Sequence, residues 1–340
     1  MALTFRNWWR APFWAAQLAT GAKSFVDNPI LGSPALNRRG LHAARLKLAH
    51  RLASSRRARL TLGLDKAYRA AFDRDGFVRI PDFLPAEEFA KLRRYLLETA
   101  FEAREHRQGD TVTRRVPVDG DMLRQCPELQ KLLHSRRWIS LMRYVASTGG
   151  EPLYYLQSIV TGFHGPPDPQ LELHCDAFHP ALKAWFYLTD VNPDGAPLTY
   201  VPGSHRLTSR RLQWERDRSV SVVAEGDRLS QRGSLRIGKD ELAGLGLPDP
   251  VAIAAPANTL IVADTYGFHA RGPAADPIVR VELWAYRRRS PFLPWTGFDF
   301  LWAGPIAARR AGWVYRILDA LDARGLRQQH WKPSGWKRAL

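Results

Sequence analysis

Cysteine is scarce in this chain of 340 residues: Cys126 and Cys175 are the only two. With no secretory pattern ahead of them, two thiols argue against a disulfide framework and for a reducing compartment. Long apolar runs are missing too. No stretch of about 18 uncharged apolar residues occurs, so no membrane-spanning helix is expected. Internal repeats and low-complexity tracts are absent, which sets solenoids and disordered arrays aside. The two ends are poor in carboxylates. Residues 1–70 hold 13 Lys and Arg against 2 Asp, and residues 305–340 hold 8 against 2. The stretch between them carries 29 charges of each sign, so the net charge of +17 sits at the ends. A neutral body with basic ends suits an anionic partner, whether a membrane surface, an acidic glycolipid or nucleic acid.

What is present divides into three segments. Residues 1–70 read as basic, Trp-rich accessory helices. Here Phe5, Trp8, Trp9 and Pro12 follow helical spacing beside Arg6 and Arg10, although Pro12 breaks any one continuous helix. Tryptophan next to arginine is the composition of an interfacial membrane anchor. Packing of the same rings on the main domain is the alternative, and an Arg-rich mitochondrial transit peptide is a third reading. "LHAARLKLAHRLASSRRARL" follows as a basic helix with Leu41, Leu48 and Leu52 on one side.

Residues 71–290 form the main domain. It opens with the strand "GFVRI" and a helix started by Pro85, with Glu87 and Glu88 at its positive end. From about 152 to 286, short apolar runs alternate with Pro, Gly and Asp, which indicates an all-β barrel or a double-sheet jelly roll. A polar, arginine-rich insert at 206–250 interrupts it. Residues 291–340 read as a basic, helical tail. Its helix carries Val314, Ile317, Leu318 and Leu321 as a core-facing stripe and ends at Gly325.

The chemistry concentrates in "LELHCDAFHP", residues 171–180. On a strand, His174 and Asp176 share a face, so an imidazole and a carboxylate can converge on one metal. A second histidine from a distant strand would complete a two-His-one-carboxylate set, which leaves open positions on ferrous iron. His269, just past the run "TLIVADTY", is the candidate. Arg280 lies 11 residues further on, inside the strand-like "IVRVELW". An arginine buried there needs an anionic partner, and a dicarboxylate cofactor supplies one.

Several motifs in sequence order resemble the phytanoyl-CoA dioxygenase family of Fe(II)/2-oxoglutarate oxygenases. They are "DGFVRIPDFLPAEEFAKLRRYL", "LHCDAF", "KAWFYLTDVNPDGAPLTYVPGSH" and "FHARGPAADPIVR", and together they span roughly 70–290. The resemblance implies a double-stranded β-helix, a jelly-roll or cupin-like core with flanking α-helices. It implies iron on His174, Asp176 and His269, with Arg280 holding the far carboxylate of 2-oxoglutarate and dioxygen as co-substrate. Trp185 matches a cofactor-pocket tryptophan and Gln157 a polar strand position facing the site. Two departures stand out. Arg271 occupies a place usually held by a small residue, and Asp194-Gly195-Ala196 is one residue longer than the usual turn.

Halogenating members lack the carboxylate ligand, so the presence of Asp176 favours hydroxylation of an aliphatic C–H. The expected substrate is a small organic molecule, lipid-linked or anionic, met at the cytoplasmic face of a membrane. A nucleic-acid demethylase is an alternative. Such enzymes carry a second arginine six residues after the first, where this chain has Tyr286, so nucleic acid is not the expected partner. A catalytically silent membrane-surface scaffold is another alternative. Cys175 is read as packing. His179 is read as supporting a ligand or as a plain loop residue, and His205 as structural. Arg287, Arg288 and Arg289 are read as a solvated charge run. The insert 206–250 and the loops are expected to line the substrate pocket.

Overall fold

The computed structural model describes residues 8–275, 277–297 and 304–340. Phe5 and Arg6 therefore lie outside the described residues, as does the side chain of Trp8. The strands are β1 (Phe77–Ile80), β2 (Phe101–Gln108), β3 (Thr111–Pro117), β4 (Leu153–Val160), β5 (Leu182–Tyr187), β6 (Leu198–Tyr200), β7 (Val251–Ile253), β8 (Leu260–Asp264), β9 (His269–Arg271), β10 (Val279–Arg287) and β11 (Lys332–Lys337). Eight of them form one antiparallel sheet in the order β1-β8-β5-β10-β4-β3-β2-β11. The other three form a small antiparallel sheet, β7-β6-β9. The core is thus mainly antiparallel β with helices around it, as the short apolar runs lead one to expect, and the large sheet stays open rather than closing on itself.

The two faces of the large sheet have different work. Successive strand residues point to opposite sides. On β5, Leu182, Ala184 and Phe186 join Leu92, Leu96, Trp138 and Leu141 in a helix-covered core, and on β10 Val281, Leu283 and Ala285 do the same. The alternate residues Lys183 and Trp185 of β5, and Arg280, Trp284 and Tyr286 of β10, line a cavity on the opposite side. Both faces are covered, so these strands read as nearly unbroken apolar runs.

The helix Ala86–Glu98 begins after Pro85 with Glu87 and Glu88 in its first turn, as its sequence indicates. Other elements differ from the expectation. In the helix Leu41–Ala58 the buried positions are His42, Ala43, Arg45, Leu46, Ala49, Ala53 and Arg56, while Leu48 is exposed. The buried face mixes alanines with hydrogen-bonded polar side chains, and the neighbouring helix Ser209–Glu225 packs beside it, with His42 Nε2 lying 3.0 Å from Glu215. In the C-terminal helix Gly304–Ala323, Ala311 and Tyr315 are buried, while Val314 and Ile317 of the expected core stripe are exposed. The tail then ends in a strand, because β11 pairs along the free edge of β2. The insert 206–250 is largely helical, with helices Ser209–Glu225, Arg228–Gln231 and Lys239–Leu245.

The N-terminal segment is partly embedded. Trp14, Phe25, Leu31 and Leu46 are buried. Arg45 donates to the carbonyls of Leu18, Thr20 and Ala22 at 2.9–3.0 Å. Arg56 reaches Ser147 O at 2.8 Å and the carbonyls of Pro291 and Leu293 at 3.1 and 2.7 Å. Trp9 and Phe13 remain exposed at 67% and 59%, so the aromatic stretch divides between packing and solvent.

Candidate metal centre and its cavity

His174 and Asp176 lie in an irregular segment rather than the regular strand expected of them, and a single bridge does the strand's work. His174 and His269 exchange backbone hydrogen bonds, N to O at 3.0 and 2.9 Å, as directly opposed antiparallel partners. Their rings come to 4.6 Å between centroids. Asp176 N donates to Thr265 O at 2.8 Å, which fixes the carboxylate beside them. Cys175, between the two, turns the other way into a buried cluster with Phe25, Val201 and Leu235, so it packs as expected.

The three side chains offer ligand atoms that all lie within 4.8 Å of one another. His174 Nδ1 lies 2.7 Å from Glu172 O and His269 Nδ1 3.0 Å from Gly267 O. Carbonyls accept only, so each Nδ1 carries the proton and each Nε2 presents a lone pair. His269 Nε2 is buried without a hydrogen-bond partner, and it lies 3.7 Å from Asp176 Oδ2. His174 Nε2 lies 3.8 Å from Asp176 Oδ1. Burial, and next the neighbouring His269, press the pKa of His174 well below its ordinary value. Burial likewise lowers His269 to about 4. Burial alone would raise Asp176, but Lys183 and the two imidazoles outweigh it and hold the carboxyl below the usual range. Neutral imidazoles and an ionised carboxylate are the forms a metal binds. The set fits a divalent ion held by two His and one carboxylate.

The cavity in front of the triad has a volume of about 510 Å³. Trp185 and Gln157 line it, as their positions in the sequence indicate. Arg280 reaches the same cavity and is 5% exposed, but it is not unpaired. Its Nε donates to Glu282 Oε2 at 2.8 Å, its Nη2 to Glu282 Oε1 at 3.3 Å, and its Nη1 to Ala196 O. That accounts for three of five guanidinium N–H groups and leaves two for a ligand carboxylate. Burial alone would lower the pKa of Arg280, but the carboxylate of Glu282, and next Tyr187, outweigh it and raise the guanidinium above its ordinary value. Ala196 ends the Asp194-Gly195-Ala196 turn. It holds φ +53, and its carbonyl is the one aimed at Arg280. Gln157 has both ends committed, its Nε2 donating to Glu282 at 2.7 Å and its Oε1 accepting from Arg115 Nε at 2.7 Å. Arg271, on the same face of β9 as His269, is ion-paired with buried Asp168.

Several lining residues carry charge that the sequence alone did not reveal. Lys183 Nζ lies 2.7 Å from Asp176 Oδ2. It stands two residues before Trp185 on β5, so the alternation of that strand placed it on the cavity face. Arg115, opposite Gln157 in the β3–β4 register, sits between the indoles of Trp284 and Trp331, 3.9 and 4.3 Å from their centroids. Lys23, from the N-terminal segment, donates to Asp176 O at 2.6 Å, and Arg288 donates to Gly21 O at 2.7 Å. Burial brings Lys23 down to about 8 against the pull of Asp176. No local pattern announces Lys23, because 153 residues separate it from its partner.

Other expectations are corrected. The arginine run is not solvated: Arg287 is buried, and Arg289 donates to Thr296 O at 2.7 Å. No residue of the insert 206–250 is among those lining the cavity. Lys23, Arg115 and Val314, Tyr315, Leu318 and Trp331 from the C-terminal segment do so instead. The insert packs on the N-terminal helices, which draws it away. His179 is buried with Nδ1 2.9 Å from Pro180 O and touches no ligand side chain. His205 is buried beside Phe72, away from the triad, consistent with a structural place. Asp264 is an anchor, accepting from Arg57 Nη2 at 2.8 Å and from Ala181 N and Tyr266 N at 3.0 Å each.

The order of these elements, from the opening strand through His174 and Asp176 to the β5–β6 turn, has a counterpart among known families. Residues 72–225 match the phytanoyl-CoA dioxygenase (PhyH) family. The PhyH match contains His174 and Asp176, and the fold brings His269 and Arg280 from beyond it to the same cavity. No curated protein matches the chain. Among solved structures it is similar to the epimerase SnoN in complex with Fe3+, alpha ketoglutarate and nogalamycin RO, at 23% identity over 71% of this chain and 90% of that one, with a TM-score of 0.42. It is also similar to HygX from Streptomyces hygroscopicus with nickel and 2-oxoglutarate bound, at 19% identity over 65% and 85%, with a TM-score of 0.41. A third is EctD from S. alaskensis with bound Fe, at 21% identity over 66% and 76%, with a TM-score of 0.39.

Proposed function

We propose that the chain is an Fe(II)/2-oxoglutarate-dependent dioxygenase that hydroxylates an aliphatic C–H of a small anionic molecule. The observation that carries this reading is the convergence of His174, Asp176 and His269 on one point of an arginine-lined cavity. His174 and His269 would hold the ion through Nε2 and Asp176 through its carboxylate. Arg280 would hold the distal carboxylate of the 2-oxo acid through its two remaining N–H groups. When bound, iron and 2-oxoglutarate supply the oxidation of the substrate C–H at the expense of dioxygen. The chain's own residues orient and shield. Glu172 O and Gly267 O fix the imidazole tautomers. Trp185, Tyr315 and Trp331 wall the cavity with rings and limit water.

The substrate class follows from charges left over. Lys23 donates to a backbone carbonyl, Arg288 to another and Arg115 to an amide oxygen, all neutral acceptors. A cavity with three such cations favours an anionic substrate, and Val314, Leu318 and Trp331 favour one with an apolar part. The exposed Trp9 and Phe13 beside Arg10 fit contact with an anionic membrane surface, where such a substrate would be met. Among the described residues no helix is long and apolar enough to cross a membrane.

The test is titration with Fe(II) under argon, followed by succinate measurement after 2-oxoglutarate and air are added. The wild type should bind one iron and form succinate. Asp176→Ala should lose iron affinity by about 100-fold or more, with succinate at background. Equal iron binding by wild type and Asp176→Ala would end the proposal.

A further inference from the structure

A second groove shares no lining residue with the metal cavity. Its volume is about 770 Å³, within the range of small-molecule sites. One wall is a single face of the helix Leu41–Ala58, where Lys47, His50, Arg51, Ser54 and Arg57 recur at helical spacing. The opposite wall is the start of the helix Ser209–Glu225, with His205, Arg206, Thr208 and Ser209. Thr208 caps that helix by accepting from Arg211 N at 3.1 Å, and the first backbone amides beyond the cap have no partner within the helix.

The charges in the groove do not balance. Arg57 is committed to Asp264 at 2.8 Å. Asp73 is the one carboxylate in the lining, and it is engaged by Tyr144 Oη at 2.9 Å and Arg69 at 3.5 Å. Lys47, Arg51 and Arg206 pair with no carboxylate among the described residues, so three cations face an opening with nothing to neutralise them. The second observation is at the floor. His205 is only 7% exposed, lines the groove and makes no hydrogen bond; its Nδ1 is a buried polar atom without a partner. His50 Nε2, also in the lining, is in the same state. A ring more than nine-tenths buried at the groove and without a hydrogen bond of its own is a donor held ready for a ligand.

We propose that this groove binds the phosphate or diphosphate group of a small molecule, with Lys47, Arg51 and Arg206 neutralising it, the amides that open the helix Ser209–Glu225 cradling it, and His205 donating to it. Compact multiple charge is what separated cations plus a helix N-terminus select. The surroundings agree. Burial and then Arg57 push both His50 and His205 down to about 3, so both rings are neutral and able to donate one N–H. The group can arrive on a soluble phosphate ester or on a lipid headgroup, and the chemistry of recognition is common to both.

The test uses the full chain with 15N-histidine labelling. Pyrophosphate is titrated at constant ionic strength against a chloride control, with vesicles of one part phosphatidate to four parts phosphatidylcholine as the second arm. Movement of the His50 and His205 imidazole signals with pyrophosphate, saturating at sub-millimolar concentration, supports a soluble ligand. Movement with the vesicles alone supports a headgroup. In either case the double variant Arg51→Gln, Arg206→Gln should weaken binding by about tenfold or more, since each removes a charge-assisted contact. Arg59→Gln, outside the groove, should leave binding unchanged. The proposal fails if neither probe moves the two signals, if chloride moves them equally, or if the double variant binds as the wild type does.

Discussion

Glu282 decides how Arg280 behaves. The carboxylate is fully buried and takes two hydrogen bonds from the guanidinium, so the pair is neutral before any ligand arrives. Glu282→Gln keeps the shape and leaves the guanidinium without its counter-charge. The ligand-free protein should lose about 3–5 kcal/mol, the usual effect of stripping one partner from a buried ion pair. 2-Oxoglutarate restores a negative charge, so it should raise the melting temperature more in Glu282→Gln than in the wild type. Calorimetric scans with and without 2-oxoglutarate read this directly; an equal or smaller rise would show that Arg280 is not the clamp. At this scale the sequence spoke clearly where chemistry is local. His174 and Asp176 lie two residues apart, and Arg280 sits in an otherwise apolar strand. It was silent on Lys23 and Arg115, which become cavity residues through contacts across 153 and 42 residues.

Among elements, the helix Leu41–Ala58 does the most joining. Arg56 is buried at its end and supplies donors to three backbone carbonyls of two separate segments. Arg56→Met keeps the stem and strands those acceptors. The predicted loss is about 3 kcal/mol or more, given about 1–3 kcal/mol for each buried group left unsatisfied. A urea titration should show the midpoint fall with an unchanged slope. Strands such as β5 and β8 were readable because both of their faces are covered. β2 and β3 were not, since "FEAREHRQ" and "TVTRRVP" put charged residues where a strand pattern expects apolar ones. Arg115 on β3 shows why: its side of the strand faces the cavity rather than a core. The turn Gly109-Asp110 between them, with Gly109 at φ +58, was the overlooked signal of a two-residue hairpin.

The molecule as a whole should be sensitive to acid. His50, His179 and His205 are each pushed down to about 3, by burial first and then by neighbouring arginines. The unfolded chain takes up those protons below about pH 6.5, and the folded chain does not. Stability is therefore complete above about 6.5 and declines toward pH 3, by up to about 1.4 kcal/mol per pH unit for each imidazole. Chemical unfolding of the metal-free protein at pH 7.5 and pH 5 should show the loss, and His179→Gln should shrink it by about a fifth, since His174 and His269 are pushed down as well. A second prediction concerns the exposed Trp9 and Phe13. In flotation with anionic liposomes, Trp9→Ser with Phe13→Ser should recover less protein than the wild type, and equal recovery would remove the membrane from the account. The division into a β body with accessory ends was visible from charge and apolar spacing. What composition could not show is that both ends reach the cavity.

That arrangement bears on biosynthesis. One wall of the cavity is encoded at residue 23 and another at residue 331, on either side of ligands at 174, 176 and 269. A chain still emerging from the ribosome lacks one wall of the cavity until translation passes Trp331. The order of synthesis thus withholds the complete cavity from unfinished polypeptide.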